Sequence, residues 1–353
     1  MTQKQLLSLS HGDDQAAIHA CLSTLRAGGL VVIPTETVYG VAILPSHDQG
    51  LRALKANDAR PFSLAIDRLE RLSAHLAPLS RPALRLAERW WPGPLTQVLP
   101  DVRGGTLGVR IPDHGWTRQL LEAAGEPLLL SSANLPGEPP PTAIDQLSPA
   151  VRDAVDVIID GGVIAGGVAS TVVATGLASL RVLREGGISR GALADHGLGQ
   201  VLVACTGNTC RSPMARALLE VALAALAKED SSLILPEVVS AGVHGGLGQP
   251  ASSGALAAMA SRGLDLSAHG SRPLEQKTLQ DADLLLGMTS SHAMALLALA
   301  SPEQNVALFD PSGEEVPDPF GGPPSVYEAC AQHLEQAALL RARSLLPFES
   351  SPS

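Results

Sequence analysis

Only four lysines stand among the 353 residues, against 21 arginines, and neither half carries a surplus of positive charge. Residues 1–190 hold 17 Lys+Arg against 18 Asp+Glu, and the remainder holds 8 against 17. Such a charge balance excludes nonspecific nucleic-acid binding through the whole-molecule field, and no direct high-affinity contact with nucleic acid is expected. Any anionic ligand must be met by a local pocket. Four cysteines are too few for a disulfide scaffold in a chain this long, so Cys205 and Cys210 call for a chemical explanation. No apolar run reaches the roughly 18 residues of a membrane helix, and the first residues lack the apolar core of a signal peptide. The expected location is therefore cytoplasmic. Long polar tracts are also missing, and 45% hydrophobic with 17% charged residues describes a globular chain.

What is present is an alternation of short apolar runs with helix-period stretches, the pattern of α/β architecture. Strands are predicted at 30–33, 62–66, 96–99, 107–111, 127–130, 155–159, 171–174 and 181–183, with helices over 49–55, 81–90 and 116–124. Several of these strands follow one another without a helix, which predicts a mixed first sheet. The glycine-rich stretch 186–199 reads as a boundary. It implies a first domain over 10–190, a linker over 191–199 and a second domain over 200–347. A new buried strand starts at Val201, and Pro213 opens a helix that runs to Ala227.

The strongest motif joins those two elements: Cys205-Thr206-Gly207-Asn208-Thr209-Cys210-Arg211-Ser212. A strand that enters such a loop directly before a helix aims backbone N–H groups and the helix dipole at an anion, and a phosphate fits. A thiolate at that mouth is stabilised, which makes Cys205 a candidate nucleophile. Arg211 offers a bidentate fork to phosphoryl oxygens, and Ser212 can donate to the thiolate. The leaving group needs an acid, and Asp318, in the proline-stiffened segment 316–322 beside Phe320, supplies a carboxylate.

Together with Ser240-Ala-Gly-Val243 and the 263–267 stretch, these residues resemble the low-molecular-weight protein phosphatases over about 200–346. The resemblance implies a parallel Rossmann-like sheet with flanking helices, a phosphocysteine formed on Cys205, phosphate binding by Arg211 and acid–base work by Asp318. It further implies that Asn208 holds the loop, that Cys210 traps an oxidised Cys205 as a reversible disulfide, and that no metal is needed. Thr209 and Phe320 are similar to the protein-arginine phosphatases of that family, so phosphoarginine stands beside phosphotyrosine as the expected phosphoprotein substrate.

In the first half, an apolar strand ends in Thr35-Glu36-Thr37-Val-Tyr39-Gly40, a cluster of hydroxyls at the edge where α/β sheets bind ligands. The segments 89–96, 108–114, 130–139, 160–162, 169–173 and 183–186 follow in order, and together they resemble the YrdC-type threonylcarbamoyl-AMP synthases over 15–190. The resemblance implies a twisted mixed α/β sheet and a reaction of L-threonine, bicarbonate and ATP, with Mg²⁺ on the nucleotide. Its products are threonylcarbamoyl-adenylate and pyrophosphate, for modification of the tRNA adenosine beside the anticodon. Downstream tRNA-modification proteins are then the implied partners. Thr35, Tyr39, Lys55, Arg110, Ser132, Asn134, Ser170 and Arg184 are the expected threonine- and ATP-binding residues, with no metal ligand from the protein. One position departs from the family pattern: Asn57 stands where an arginine is expected, with Arg60 three residues on. A noncatalytic nucleotide- or RNA-binding first half therefore remains open beside the synthase, as does a redox-sensing role for Cys205 and Cys210.

Overall fold

The computed structural model describes residues 4–9, 14–55 and 62–347, so Asn57 and Arg60 lie outside the described residues. The first half is built on a mixed sheet. From edge to edge its eleven strands are Gln5–Ser8, Val157–Asp160, Val31–Ile33, Gly40–Ile43, Leu128–Ser132, Ser63–Ala65, Thr106–Arg110, Leu95–Pro100, Thr171–Thr175, Leu180–Arg184 and Leu233–Ile234. Both faces are covered. Val31 and Ile33 pack with Ile18, Cys21, Leu25 and Leu120, carried by the helices Asp14–Arg26 and Gly115–Ala124. Val32 points the other way, into a cluster with Leu51 and Val151 from the helices Gln49–Leu54 and Pro149–Ala154. A strand with apolar residues at every position is the sequence form of burial on two faces.

The second half has its own sheet of four parallel strands, in the order Glu237–Gly242, Gln200–Cys205, Ala282–Gly287 and Asn305–Leu308. Val201, Val203 and Cys205 face the helices Arg211–Glu229 and Pro324–Ser344, while Leu202 and Ala204 face Leu279 and Leu296. Cys205 is thus the last residue of a central strand. Its side chain lies on the face that the next helix covers.

The expected linker, 191–199, has structure of its own. Residues Arg190–Gly197 form a helix, capped by the Ser189 hydroxyl accepting from the Ala192 N–H, with Leu193 and Gly197 buried. A Cβ on Gly197 would lie 2.7 Å from Leu86 Cδ2, so this glycine permits close packing of the helix. The halves also exchange structure. Strand Leu233–Ile234, from the second half, pairs antiparallel with Leu180–Arg181 of the first sheet. Arg85 forms two hydrogen bonds to Asp283, at 2.6 and 2.7 Å, and the Gly199 N–H donates to the same carboxylate. Ser179 Oγ donates to the Leu345 carbonyl. A cleft of about 920 Å³ opens along this seam between residues 78–84, 175–181, 226–233 and 302–305.

Candidate active sites

In the second half, the turn after Cys205 folds as its residue types require. Asn208 has φ of +56°, in the left-handed region that asparagine tolerates better than most residues. Its amide nitrogen donates to Ser212 Oγ at 2.8 Å and Ser240 Oγ at 2.9 Å, and its Oδ1 accepts from the Arg272 N–H. Its carbonyl accepts from His269 Nε2 at 2.7 Å, and burial holds the His269 imidazole below its ordinary basicity. Around this wholly buried asparagine the loop closes on the sulfur. Cys205 Sγ lies 3.0 Å from Ser212 Oγ and accepts from the Asn208 N–H at 3.3 Å. Helix Arg211–Glu229 begins directly after the loop, so its unpaired N–H groups and its dipole favour negative charge there.

Arg211, 5% exposed, donates to Asp318 Oδ2 at 2.6 Å and to the Val316 carbonyl. The loop that follows Cys205 and the loop of Asp318 therefore meet at one guanidinium. Asp318 Oδ1 accepts from the Phe320 N–H, and the Phe320 ring is 75% exposed at this edge. Thr209 is half-buried. The Cys210 thiol donates to Ser252 Oγ at 3.2 Å and lies 3.7 Å from the Tyr327 hydroxyl, and all four cysteines are free thiols. Burial pushes the Cys330 thiol up to about 12, which makes it unreactive beside Cys205.

Removing the Asn208 side chain tests the loop. Asn208→Ala loses three side-chain hydrogen bonds and the polar side chain that eases positive φ, a loss of about 2–4 kcal/mol. Asn208→Gly relieves the backbone only, so it should recover part of the stability and little turnover, as chemical denaturation and aryl-phosphate hydrolysis will measure.

In the first half the candidate residues form three groups around the loop 34–40. Arg110, 6% exposed, ends its strand and donates to Glu36 Oε1 at 2.6 Å and to Thr37 Oγ1 at 2.9 Å. Thr35 Oγ1 lies 2.9 Å from Thr37 Oγ1 and donates to the Val38 carbonyl. Lys55 ends its helix and is buried, with its ammonium donating to the carbonyls of Ser132 and Asn134 at 2.6 Å each. The register pairs Ser132 with Gly40, and the Ala133 N–H donates to the Tyr39 carbonyl, which joins this second group to the same loop. Asn134 Oδ1 is a buried acceptor with no hydrogen-bond partner among the described residues. Ser170 makes the third group, 2.9 Å from Thr96 Oγ1, with Arg184 donating to both its carbonyl and its hydroxyl.

Tyr39 has a supporting place. Its ring is fully buried, and its hydroxyl donates to the Gly162 carbonyl and accepts from the Gly161 N–H, pinning the segment 161–170 over the loop. There Gly166 is required by close approach, since a Cβ would lie 2.5 Å from the Glu36 carbonyl oxygen. Sequence reasoning quoted Glu36 and Thr37 without assigning them. The signal was the carboxylate itself, set between two threonines beside a strand-end arginine. His114 was also passed over. It caps helix Gly115–Ala124, and burial holds its imidazole below the ordinary range.

Two separate sheets thus each carry a polar cluster around a buried arginine, and comparison with known proteins matches each half to a family model. Residues 23–186 match the Sua5/YciO/YrdC family, whose description is telomere recombination, and residues 200–345 match low molecular weight phosphotyrosine protein phosphatase. A threonylcarbamoyl-AMP synthase from Chromohalobacter salexigens is 40% identical over 156 residues, 40% of this chain and 82% of that protein. Another from Pyrococcus abyssi is 34% identical over 177 residues, 46% of this chain and 52% of that protein. The chain therefore spans about half the length of the Pyrococcus relative. The YwlE arginine phosphatase from Geobacillus stearothermophilus is 33% identical, with 42% of this chain and 92% of that one covered at a TM-score of 0.37. The chain belongs to the Sua5/YciO/YrdC family through its first half, and its second half matches the low molecular weight phosphotyrosine protein phosphatase model.

Proposed function

We propose that this chain is a bifunctional enzyme. Its first half makes threonylcarbamoyl-adenylate from L-threonine, bicarbonate and ATP, and its second half is a cysteine-dependent phosphatase. The observation that carries the reading is that the two family matches centre on different sheets, each with its own set of cations and hydroxyls. In the first half, Arg110, Lys55, Thr35, Ser132, Asn134, Ser170 and Arg184 would position a triphosphate against a small zwitterion, a reaction in which catalysis is largely orientation and charge stabilisation. Asn134 Oδ1, buried and without a partner among the described residues, supports a ligand there, since a buried acceptor without a donor is costly. Mg²⁺ would enter on the nucleotide and neutralise its phosphates. The donor set suits that arrangement: the carboxylate on the loop, Glu36, is already engaged by Arg110 and the Asp113 N–H, which leaves hydroxyls and cations for nucleotide oxygens. The adenylate would supply tRNA threonylcarbamoyladenosine formation by partner proteins.

In the second half, the Cys205 thiolate attacks phosphorus and forms an S–P bond as the bond to the leaving group breaks, and Asp318 gives its proton to that group. Asp318 then takes a proton from the water that cleaves the phosphocysteine, while Arg211 holds the equatorial oxygens. Thr209, half-buried in the loop, and the exposed Phe320 ring favour phosphoarginine, because an aromatic face stacks on a planar guanidinium. Thr209→Ile should lower the ratio of phosphoarginine to phosphotyrosine turnover by roughly tenfold. A ratio unchanged by the substitution, measured on both phosphorylated substrates, would assign tyrosine.

A further inference from the structure

His292 is a buried titratable residue to which the mechanism above gives no task. It lies on the helix Ser290–Leu297, 6% exposed, between the nucleophile loop and the acid loop. Its Nε2 is 3.0 Å from the Thr206 hydroxyl and its Nδ1 is 2.7 Å from the Thr289 hydroxyl. Thr206 follows the nucleophile directly, is exposed at the loop mouth, and has its backbone carbonyl held by the His244 N–H. The turn that carries His292 is tied to the acid loop as well. The Ser290 N–H donates to Glu315, and the Val316 N–H donates to the Met288 carbonyl.

We propose that His292 is a positioning residue of the phosphatase site, acting on the bound phosphoryl dianion through the Thr206 hydroxyl. The inference rests on the phosphatase reading of this half and deepens it. A neutral imidazole donates from one nitrogen and accepts at the other, so the Thr206 proton can be spent on Nε2. An imidazolium donates from both nitrogens. Thr289 and Thr206 must then both accept, and the Thr206 O–H is released toward the mouth, where an anion takes it. Burial and the Arg211 guanidinium, with a smaller push from His244, hold His292 below its ordinary range, against the pull of Asp318 and Glu315. At neutral pH the free site therefore holds a neutral imidazole. A bound dianion reverses that balance, so binding takes up a proton and strengthens as pH falls through the interval between the free and bound pKa values.

The test uses sulfate, a dianion throughout the working range, titrated calorimetrically into the full chain carrying Cys205→Ser, which removes thiol titration. Affinity should rise about five- to tenfold between about pH 8 and pH 5.5, since one unit of pKa change on binding equals a factor of ten in affinity. His292→Gln in the same background keeps a hydrogen-bonding side chain and cannot be charged, so it should flatten that slope. Thr206→Val should flatten it equally, and the double variant should add nothing. Asp318, Glu315 and His244 remain in every variant, so the difference isolates His292. A full slope retained in His292→Gln assigns a merely structural role and overturns the proposal. Loss of the slope in His292→Gln with the slope kept in Thr206→Val overturns the route through Thr206. Should His292→Gln fail to fold, Thr206→Val alone decides, because a slope that survives there contradicts the proposal. Hydrolysis of an aryl phosphate by the unmodified chain is measured in parallel. Its absence would remove the phosphatase reading, while the sulfate titration would still report on His292.

Discussion

Cys205→Ser should abolish phosphatase turnover, by about 10⁴-fold or more, and leave adenylate formation unchanged. The geometry gives the reason. The sulfur sits 3.0 Å from the Ser212 hydroxyl and accepts from the Asn208 N–H, at the start of a helix whose dipole favours an anion. Those contacts stabilise a thiolate. A serine hydroxyl in their place remains protonated at neutral pH, and the loop holds no neighbouring base to activate it. A 10⁴-fold loss corresponds to about 5.5 kcal/mol of transition-state stabilisation. Steady-state hydrolysis of an aryl phosphate measures it, and residual activity within tenfold of the unmodified chain would mean that Cys205 is not the nucleophile. The first-half site lies on another sheet and shares no side chain with this loop, so its turnover is the internal control.

Arg85→Ala should destabilise the whole chain by about 3–5 kcal/mol, because it takes both charge-assisted hydrogen bonds from a buried carboxylate and leaves it only a distant cation. Asp283 is fully buried at the start of the second sheet's strand Ala282–Gly287, and Arg85 reaches it across the seam with two hydrogen bonds. Without the guanidinium, the Gly199 N–H and the Arg81 side chain at 4.0 Å are its remaining polar neighbours. Asp283→Asn should be milder, since it removes the buried charge and leaves a partly exposed arginine that water can reach. Denaturant unfolding of both variants checks the sign and the order. A loss below about 1 kcal/mol for Arg85→Ala would mean that water reaches Asp283. The strand Leu233–Ile234 inserted in the first sheet carries the same implication, that the halves unfold together.

That seam is also where the sequence was least legible. Glycines at 186–199 marked a boundary, yet residue type cannot tell a glycine needed for conformational freedom from one needed for close approach, and Gly197 against Leu86 is the second kind. The short strand Leu233–Ile234 has too few residues to show a period, and its partner lies about fifty residues away in sequence. By contrast, the strand-to-helix turn at Cys205 was readable because nucleophile, arginine and serine have a fixed spacing and lie in one continuous segment. Helix Arg81–Trp90 was placed at its observed bounds, where the Ser80 hydroxyl accepts from the Ala83 N–H and Pro82 sits in the first turn. Helix Asp14–Arg26 and strand Gly40–Ile43 were not assigned. The helix has a polar tail of short residues, and the strand follows the polar loop with no turn signal between them. For the first-half site, the sequence named residues on several separate segments, and their hydrogen bonding was not visible. The burial of Lys55 against two carbonyls and the engagement of the Tyr39 hydroxyl by backbone both depend on contacts between segments about 80 to 120 residues apart.

The pairing of two activities on one chain is tested most directly by incubating the purified protein with L-threonine, bicarbonate, ATP and Mg²⁺. Threonylcarbamoyl-adenylate is followed by mass spectrometry and pyrophosphate by a coupled assay, with aryl-phosphate hydrolysis recorded on the same preparation. The account predicts adenylate and pyrophosphate in equal amounts over many turnovers, from protein that also hydrolyses the aryl phosphate. Active phosphatase without any adenylate would contradict it, and would make the first half a nucleotide-binding module in which the Asn57 departure is decisive.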